Sequence, residues 1–256
     1  MFKKKILSIM LSAIFVFGSS TLAFAKTADV QALNPAVSAT TSISTPENYE
    51  GWLTKELKTV DSSKINEVSN GLTTFKKLSK AQKDSFISIL NNPKLLANVL
   101  TTDVKVGESK SFSDGSIIVS SIQITKPQLA PLNTSAIPSL SSSASVIRVA
   151  TYKRTVYLYG IAIFQTTNLV QYAYSGTTIT EIQNYDAYTS INLNPTVSTT
   201  WSGITAWGIG SDTVYTSGNV HYGFLYSGLG MVYGNGCAGL WVNVGNNTSS
   251  GFYYDI

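Results

Sequence analysis

Val220-His221-Tyr222-Gly223-Phe224-Leu225-Tyr226 is the stretch that decides the fold. Its large apolar side chains, Val220, Tyr222, Phe224 and Tyr226, fall at every second position, with His221, Gly223 and Leu225 between them. Successive side chains of a strand point to opposite faces, so a period of two predicts a strand with one apolar face. The alternation returns at Val170, Tyr172 and Tyr174 around Gln171 and Ala173, and at Leu240, Val242 and Val244 around Trp241 and Asn243. Val156 to Phe164 is apolar on both faces, which predicts a central strand covered from both sides.

These runs belong to a block, Ser145 to Ile256, rich in Tyr, Thr, Val and Gly. It holds thirteen of the fourteen tyrosines and three of the four tryptophans. β-Branched and aromatic side chains fit a pleated, half-buried surface and crowd a helix at χ1. Turn residues punctuate the block at Ser175-Gly176, Asn194-Pro195, Gly210-Ser211-Asp212, Ser227-Gly228, Gly234-Asn235-Gly236 and Gly245-Asn246-Asn247. Gly and Asn tolerate the positive φ of tight hairpins. The expectation is a mainly-β protein: a C-terminal antiparallel β-sandwich or barrel of about 7–9 strands. A small N-terminal helical region precedes it.

That helical region is read over residues 45–101. Thr45 can cap a helix that opens with Pro46. Tyr49, Trp52, Leu53 and Leu57 then make an apolar stripe. Asp61-Ser62-Ser63 is a second capping cluster, followed by Ile65, Val68, Leu72 and Phe75 on one helical face. Ser79 and Gln82 form a capping box before Phe86, Ile87 and Leu90. Asn92 and Pro93 start a last helix carrying Leu95, Leu96, Val99 and Leu100. Residues 102–125 return to β: Val104 and Val106 alternate around Lys105, Asp114-Gly115 makes a turn, and Ile117 to Ile124 form a strand. Residues 126–144, with Pro127, Pro131, Pro138 and a Ser-rich tract, read as an irregular linker and domain boundary.

The first 25 residues carry a secretory pattern. Lys3, Lys4 and Lys5 precede an apolar run, Ile6 to Phe17, and Ala23 and Ala25 supply small residues for cleavage near Lys26. Residues 26–44, rich in Ala, Ser and Thr, read as a flexible leader. The expected location is secreted or extracellular, without a transmembrane segment after cleavage. Charge agrees with no nucleic-acid partner. The chain has 18 basic and 14 acidic residues, and loss of the three early lysines leaves 15 against 14.

Chemistry-bearing residues are sparse. From Ser145 onward, tyrosines aside, the ionisable residues are Arg148, Lys153, Arg154, Glu181, Asp186, Asp212, Asp255, His221 and Cys237. His221 and Cys237 are the sole His and Cys, so an intrachain disulfide is impossible and zinc lacks its usual ligand pairs. The two could meet if their strands are neighbours, as a thiol nucleophile and its base must. No protease signature surrounds Cys237, and no Gly-x-Ser-x-Gly elbow or P-loop occurs. Asp212, Asp186 and Glu181 lack the density of a calcium loop. No catalytic residue, metal or cofactor is assigned.

Tyr233-Gly234-Asn235-Gly236-Cys237 resembles the Tyr-Gly-Asn-Gly box of pediocin-like bacteriocins over four residues. It lacks that family's intervening residue and second Cys, and it is read here as a hairpin turn.

The aromatic surplus is the functional signal. Rings with neighbouring Asn and Thr can stack on sugar rings and bond their hydroxyls. Tyr172, Tyr174, Trp201, Trp207, Tyr222 and Trp241 are the candidate ligand-binding residues. The expected function is a non-enzymatic binding or structural module at the cell envelope or on glycans. The alternatives are a secreted antimicrobial or membrane-acting protein with a helical pro-segment, and a hydrolase using Cys237 and His221. The sequence leaves the oligomeric state open.

Overall fold

A computed structural model of the chain describes residues 43–128, 145–225 and 231–255, all within one compact unit, Ala39–Ile256. The secretory and leader segments, most of the Pro/Ser-rich stretch, and Tyr226, Ser227 and Gly228 lie outside the described residues.

Four helices come first: α1 Pro46–Thr59, α2 Ile65–Lys77, α3 Lys80–Leu90 and α4 Pro93–Thr101. Their starts follow the expected local chemistry. Thr45 accepts from the Asn48 backbone N–H with Pro46 at the first position, Ser79 and Gln82 form a reciprocal capping box, and Asn92 accepts from the Leu95 N–H. Asp61 caps a short 3₁₀ turn, Ser62–Lys64, ahead of α2.

Nine strands follow in two antiparallel sheets, so the architecture is a sandwich. The five-stranded sheet has the order β1 Ser109–Phe112, β2 Ile117–Gln128, β3 Val146–Leu158, β4 Ile161–Ser175 and β5 Thr178–Asn192. The four-stranded sheet has the order β6 Val197–Trp207, β7 Thr213–Leu225, β8 Met231–Asn243 and β9 Thr248–Asp255. Each sheet is a meander, each strand pairing with its sequence neighbours. The corner at Leu193–Thr196 carries the chain between sheets. It is tied to the helices: Tyr49 Oη donates to the Leu193 carbonyl at 2.8 Å, and Thr196 Oγ1 to the Leu90 carbonyl at 3.1 Å.

The inner faces bury Val119, Val156, Phe164, Val170, Tyr172, Val220, Tyr222, Phe224, Leu240 and Tyr253. The helices close one end of the sandwich and share its core. Tyr49, Leu53, Phe75, Phe86, Leu90, Val99 and Leu100 belong to the same buried cluster as Val156, Leu158, Ile161 and Phe164.

Val156 to Phe164 is not one central strand. β3 ends at Leu158, Tyr159 and Gly160 turn at φ 49° and 80°, and β4 starts at Ile161. Both faces are apolar because this hairpin tip sits under the helices. Tyr159 Oη donates to Ser85 Oγ, and a side chain at Gly71 of α2 would collide with Leu193 and touch Ile161.

Gly234-Asn235-Gly236 is not a turn either; it lies inside β8 opposite Tyr222, His221 and Val220. Its Gly236 gives room for the Tyr253 ring, so close approach, not positive φ, accounts for that glycine. The Tyr-Gly-Asn-Gly box is therefore strand.

The stretch after Thr125 also differs from a simple linker. β2 runs on to Gln128 and pairs with β3 along its whole length. The 102–125 region thus enters the sandwich's own sheet. Val104 and Val106 precede its first strand, with Val104 buried.

Candidate functional site

The outer face of the four-stranded sheet is built by register. Trp207 on β6 pairs with Tyr215 on β7, and Tyr215 pairs with Trp241 on β8. Neighbouring strands lie about 4.8 Å apart, so the three rings form a row about 10 Å across. Trp207 and Tyr215 are stacked, with centroids 4.0 Å apart and planes 13° from parallel. Trp207 is 58% exposed; Tyr215 and Trp241 are half-buried. Further along β9, Phe252 and Tyr254 stack at 5.9 Å.

The β6 bulge sets this face. Register shifts between Ser202 and Thr205, with Gly203 at φ 60°. Gly203 and Ile204 together oppose the single Gly218, one extra residue on β6, so Ser202, Thr205 and Trp207 share the outer face while Trp201 faces inward opposite Val220.

Beside the rings lies a fixed polar strip. His221 Nδ1 is 2.8 Å from Asn235 Oδ1, which can only accept, so Nδ1 carries the proton and Nε2 accepts from Ser202 Oγ at 2.9 Å. Nucleophile, base and orienter stand in that order in hydrolytic triads. Here the third member is a neutral amide, which brings no charge to steady an imidazolium, and the three residues sit across an open sheet face.

Cys237 and His221 are on neighbouring strands and one face, but they are diagonal: Cys237 pairs with Asn219, and His221 with Asn235. The imidazole is bonded to Ser202 and Asn235. The buried thiol lies beside the Tyr254 hydroxyl and raises its pKa.

Charge is nearly absent from this sheet. β6 to β9 contain no Lys, Arg or Glu, and Asp255 is their sole carboxylate. Asp212 sits in the β6–β7 turn, where hydrogen bonds from Asn243 and Thr213 hold its pKa below the usual range. Glu181 and Asp186 lie on β5, in the other sheet. Among the described residues no group of three or more His, Cys, Asp or Glu could hold a metal ion, and no helix is long and apolar enough to cross a membrane.

The structure divides the six sequence-derived binding residues. Trp207 and Trp241 come together against Tyr215. Tyr172 and Tyr222 are fully buried, which removes them from any ligand-facing surface; Tyr222 Oη shares a 2.7 Å hydrogen bond with Tyr253 Oη. Trp201 is half-buried on the inner side and donates from Nε1 to Thr189 Oγ1. Tyr174 packs under the Arg148 guanidinium, 5.0 Å from its ring centre. Sequence reasoning missed Tyr215, Phe252 and Tyr254. Parity carried the signal for Tyr215, which lies six residues before His221 and so shares its face.

No family model, curated protein or solved structure matches the chain.

Proposed function

We propose that the protein is a secreted, non-enzymatic binding module that takes a neutral glycan of the cell envelope on the outer face of its four-stranded sheet. The observation that carries this reading is the Trp207–Tyr215–Trp241 row on a sheet without Lys, Arg or Glu. Rings stack on the apolar faces of sugars, and the adjoining Ser202, Asn219, His221 and Asn235 offer donors and acceptors for hydroxyls. An uncharged face favours an uncharged polymer over nucleic acid or an acidic one. Export rests on the Lys3–Lys5 and Ile6–Phe17 pattern followed by Ala23 and Ala25.

The test is retention on isolated cell wall, chitin and cellulose. The mature protein should bind at least one of them, and Trp207→Ala with Trp241→Ala should abolish retention while the fold persists. Failure to bind any of the three would end this reading.

A second reading has its own observation. Ile209, 66% exposed, sits in the β6–β7 turn beside Trp207. An exposed Trp and Ile at a hairpin tip suit a membrane interface. Co-sedimentation with phosphatidylcholine vesicles and dye leakage, both lost in Ile209→Ser, would favour a membrane-acting protein. The shared core of helices and sheets supports helices that stay with the sandwich instead of leaving as a pro-segment.

A further inference from the structure

Away from the aromatic face, β2 and β3 run past the β8–β9 turn and leave a cleft of about 390 Å³ lined by Gln123, Thr125, Arg148, Val242, Asn247 and Ser249. We propose that this cleft binds a small oxyanion through Arg148.

The lining holds one guanidinium, two carboxamides and two hydroxyls, and no acid. Among the described residues the ion pair present is Lys76–Glu50, so no carboxylate neutralises Arg148. The guanidinium is nevertheless held in place. Nη1 donates to Asn247 Oδ1 across the cleft at 3.2 Å, and the group lies over the Tyr174 ring. A positioned guanidinium is a planar fork of N–H donors whose geometry matches carboxylate and phosphate oxygens.

The wall behind it is short of hydrogen bonds. Both polar atoms of the Gln123 side chain, which lines the cleft, are buried without a partner. Buried polar groups normally find partners, and those without one call for a bound molecule or water. The Arg148 charge is also felt in the core beneath the cleft, where it pulls down a Tyr172 pKa that burial raises. One positive charge with amides and hydroxyls around it complements a single anionic group on a small polar molecule.

The experiment uses the mature chain with three probes: sodium glucuronate, glucose and inorganic phosphate. The thermal midpoint and binding heat are measured for each. A ligand bound to the native state raises the midpoint in proportion to the logarithm of its concentration over Kd. Glucuronate acting where glucose does not supports a carboxylate; phosphate acting alone supports a phosphoryl group. In either case Arg148→Gln should weaken binding about tenfold or more. Asn247→Gly, in an exposed turn at φ 55° that glycine adopts freely, removes the bond to Arg148 and provides the same readout should Arg148→Gln fail to fold. No response to either anion, or full affinity retained in the variants, overturns the proposal. Trp207→Ala should leave anion binding unchanged, which separates this site from the glycan face.

Discussion

Arg154 Nη2 donates to the Val99 carbonyl at 2.6 Å, joining the middle of β3 to the last turn of α4. Nη2 and Nε also reach the Thr102 carbonyl at 2.8 and 3.1 Å, and the guanidinium lies 4.3 Å from the Tyr253 ring centre. The side chain is fully buried, and its charge is met by helix-end carbonyls and a ring face. Replacing it cannot remove the carbonyls, which would be left without donors. Arg154→Met should therefore lower stability by about 2–4 kcal/mol, read as the shift in a urea transition. An unchanged midpoint would mean that the helices are not held by this contact.

A glycine governs how closely the sheets approach. A Cβ on Gly251 would fall within the ring of Tyr152 on the facing sheet. Gly251→Ala should cost roughly 1–3 kcal/mol or more through overpacking. In Gly251→Ala/Tyr152→Leu the two losses should sum to less than their separate values, because the ring that collides has gone. Simple additivity in the double-mutant cycle would count against the contact.

Alkali should weaken the fold through its buried phenols. Burial pushes the pKa of Tyr152 and Tyr222 up to about 12, against the opposing pull of Arg154. Below the unfolded value of about 10, both states keep their protons and stability is level. Between about 10 and 12 the unfolded chain releases protons that the folded one retains. Stability then falls with rising pH, by up to about 1.4 kcal/mol per pH unit for each tyrosine. Urea midpoints across that window should show the decline, and Tyr222→Phe should make it shallower. An equal slope in the variant would assign the effect to other groups.

Tryptophans on opposite faces should respond differently. Trp207→Ala should reduce glycan retention about tenfold or more with a small change in thermal midpoint. Trp201→Ala, which removes an inward ring and the bond to Thr189, should lower the midpoint by several degrees and spare retention once folded. Retention lost only in Trp201→Ala would place the binding surface elsewhere.

Local chemistry was readable in advance. Thr45-Pro46, Ser79 with Gln82, and Asn92-Pro93 each specify a helix start within a few residues, and Val220-Tyr222-Phe224 specifies a strand with one buried face. What the chain could not disclose was non-local. Alternation places Tyr172 and Tyr174 on one face without saying that this face is inside. Tyr152, Arg154 and Val156 share parity, yet a buried arginine is legible only once α4 is seen to end above it. Tyr159-Gly160 is a weak turn signal within an apolar run, because the run is apolar to match helices that lie far earlier in the chain. The pairing of Trp207, Tyr215 and Trp241 likewise depends on register and on a bulge at Gly203.

β2 lies between β1 and β3, bonded to β3 over its full twelve residues. A protease that severed the backbone anywhere from 129 to 144 would make two polypeptides without making two particles. The amino-terminal fragment would stay threaded into its partner by strand hydrogen bonds, by the Arg154 clasp and by a common interior. Such nicked material should elute as one peak from a gel-filtration column and resolve into two bands only after boiling in detergent. Maturation by clipping would thus change the number of chain ends without shedding mass.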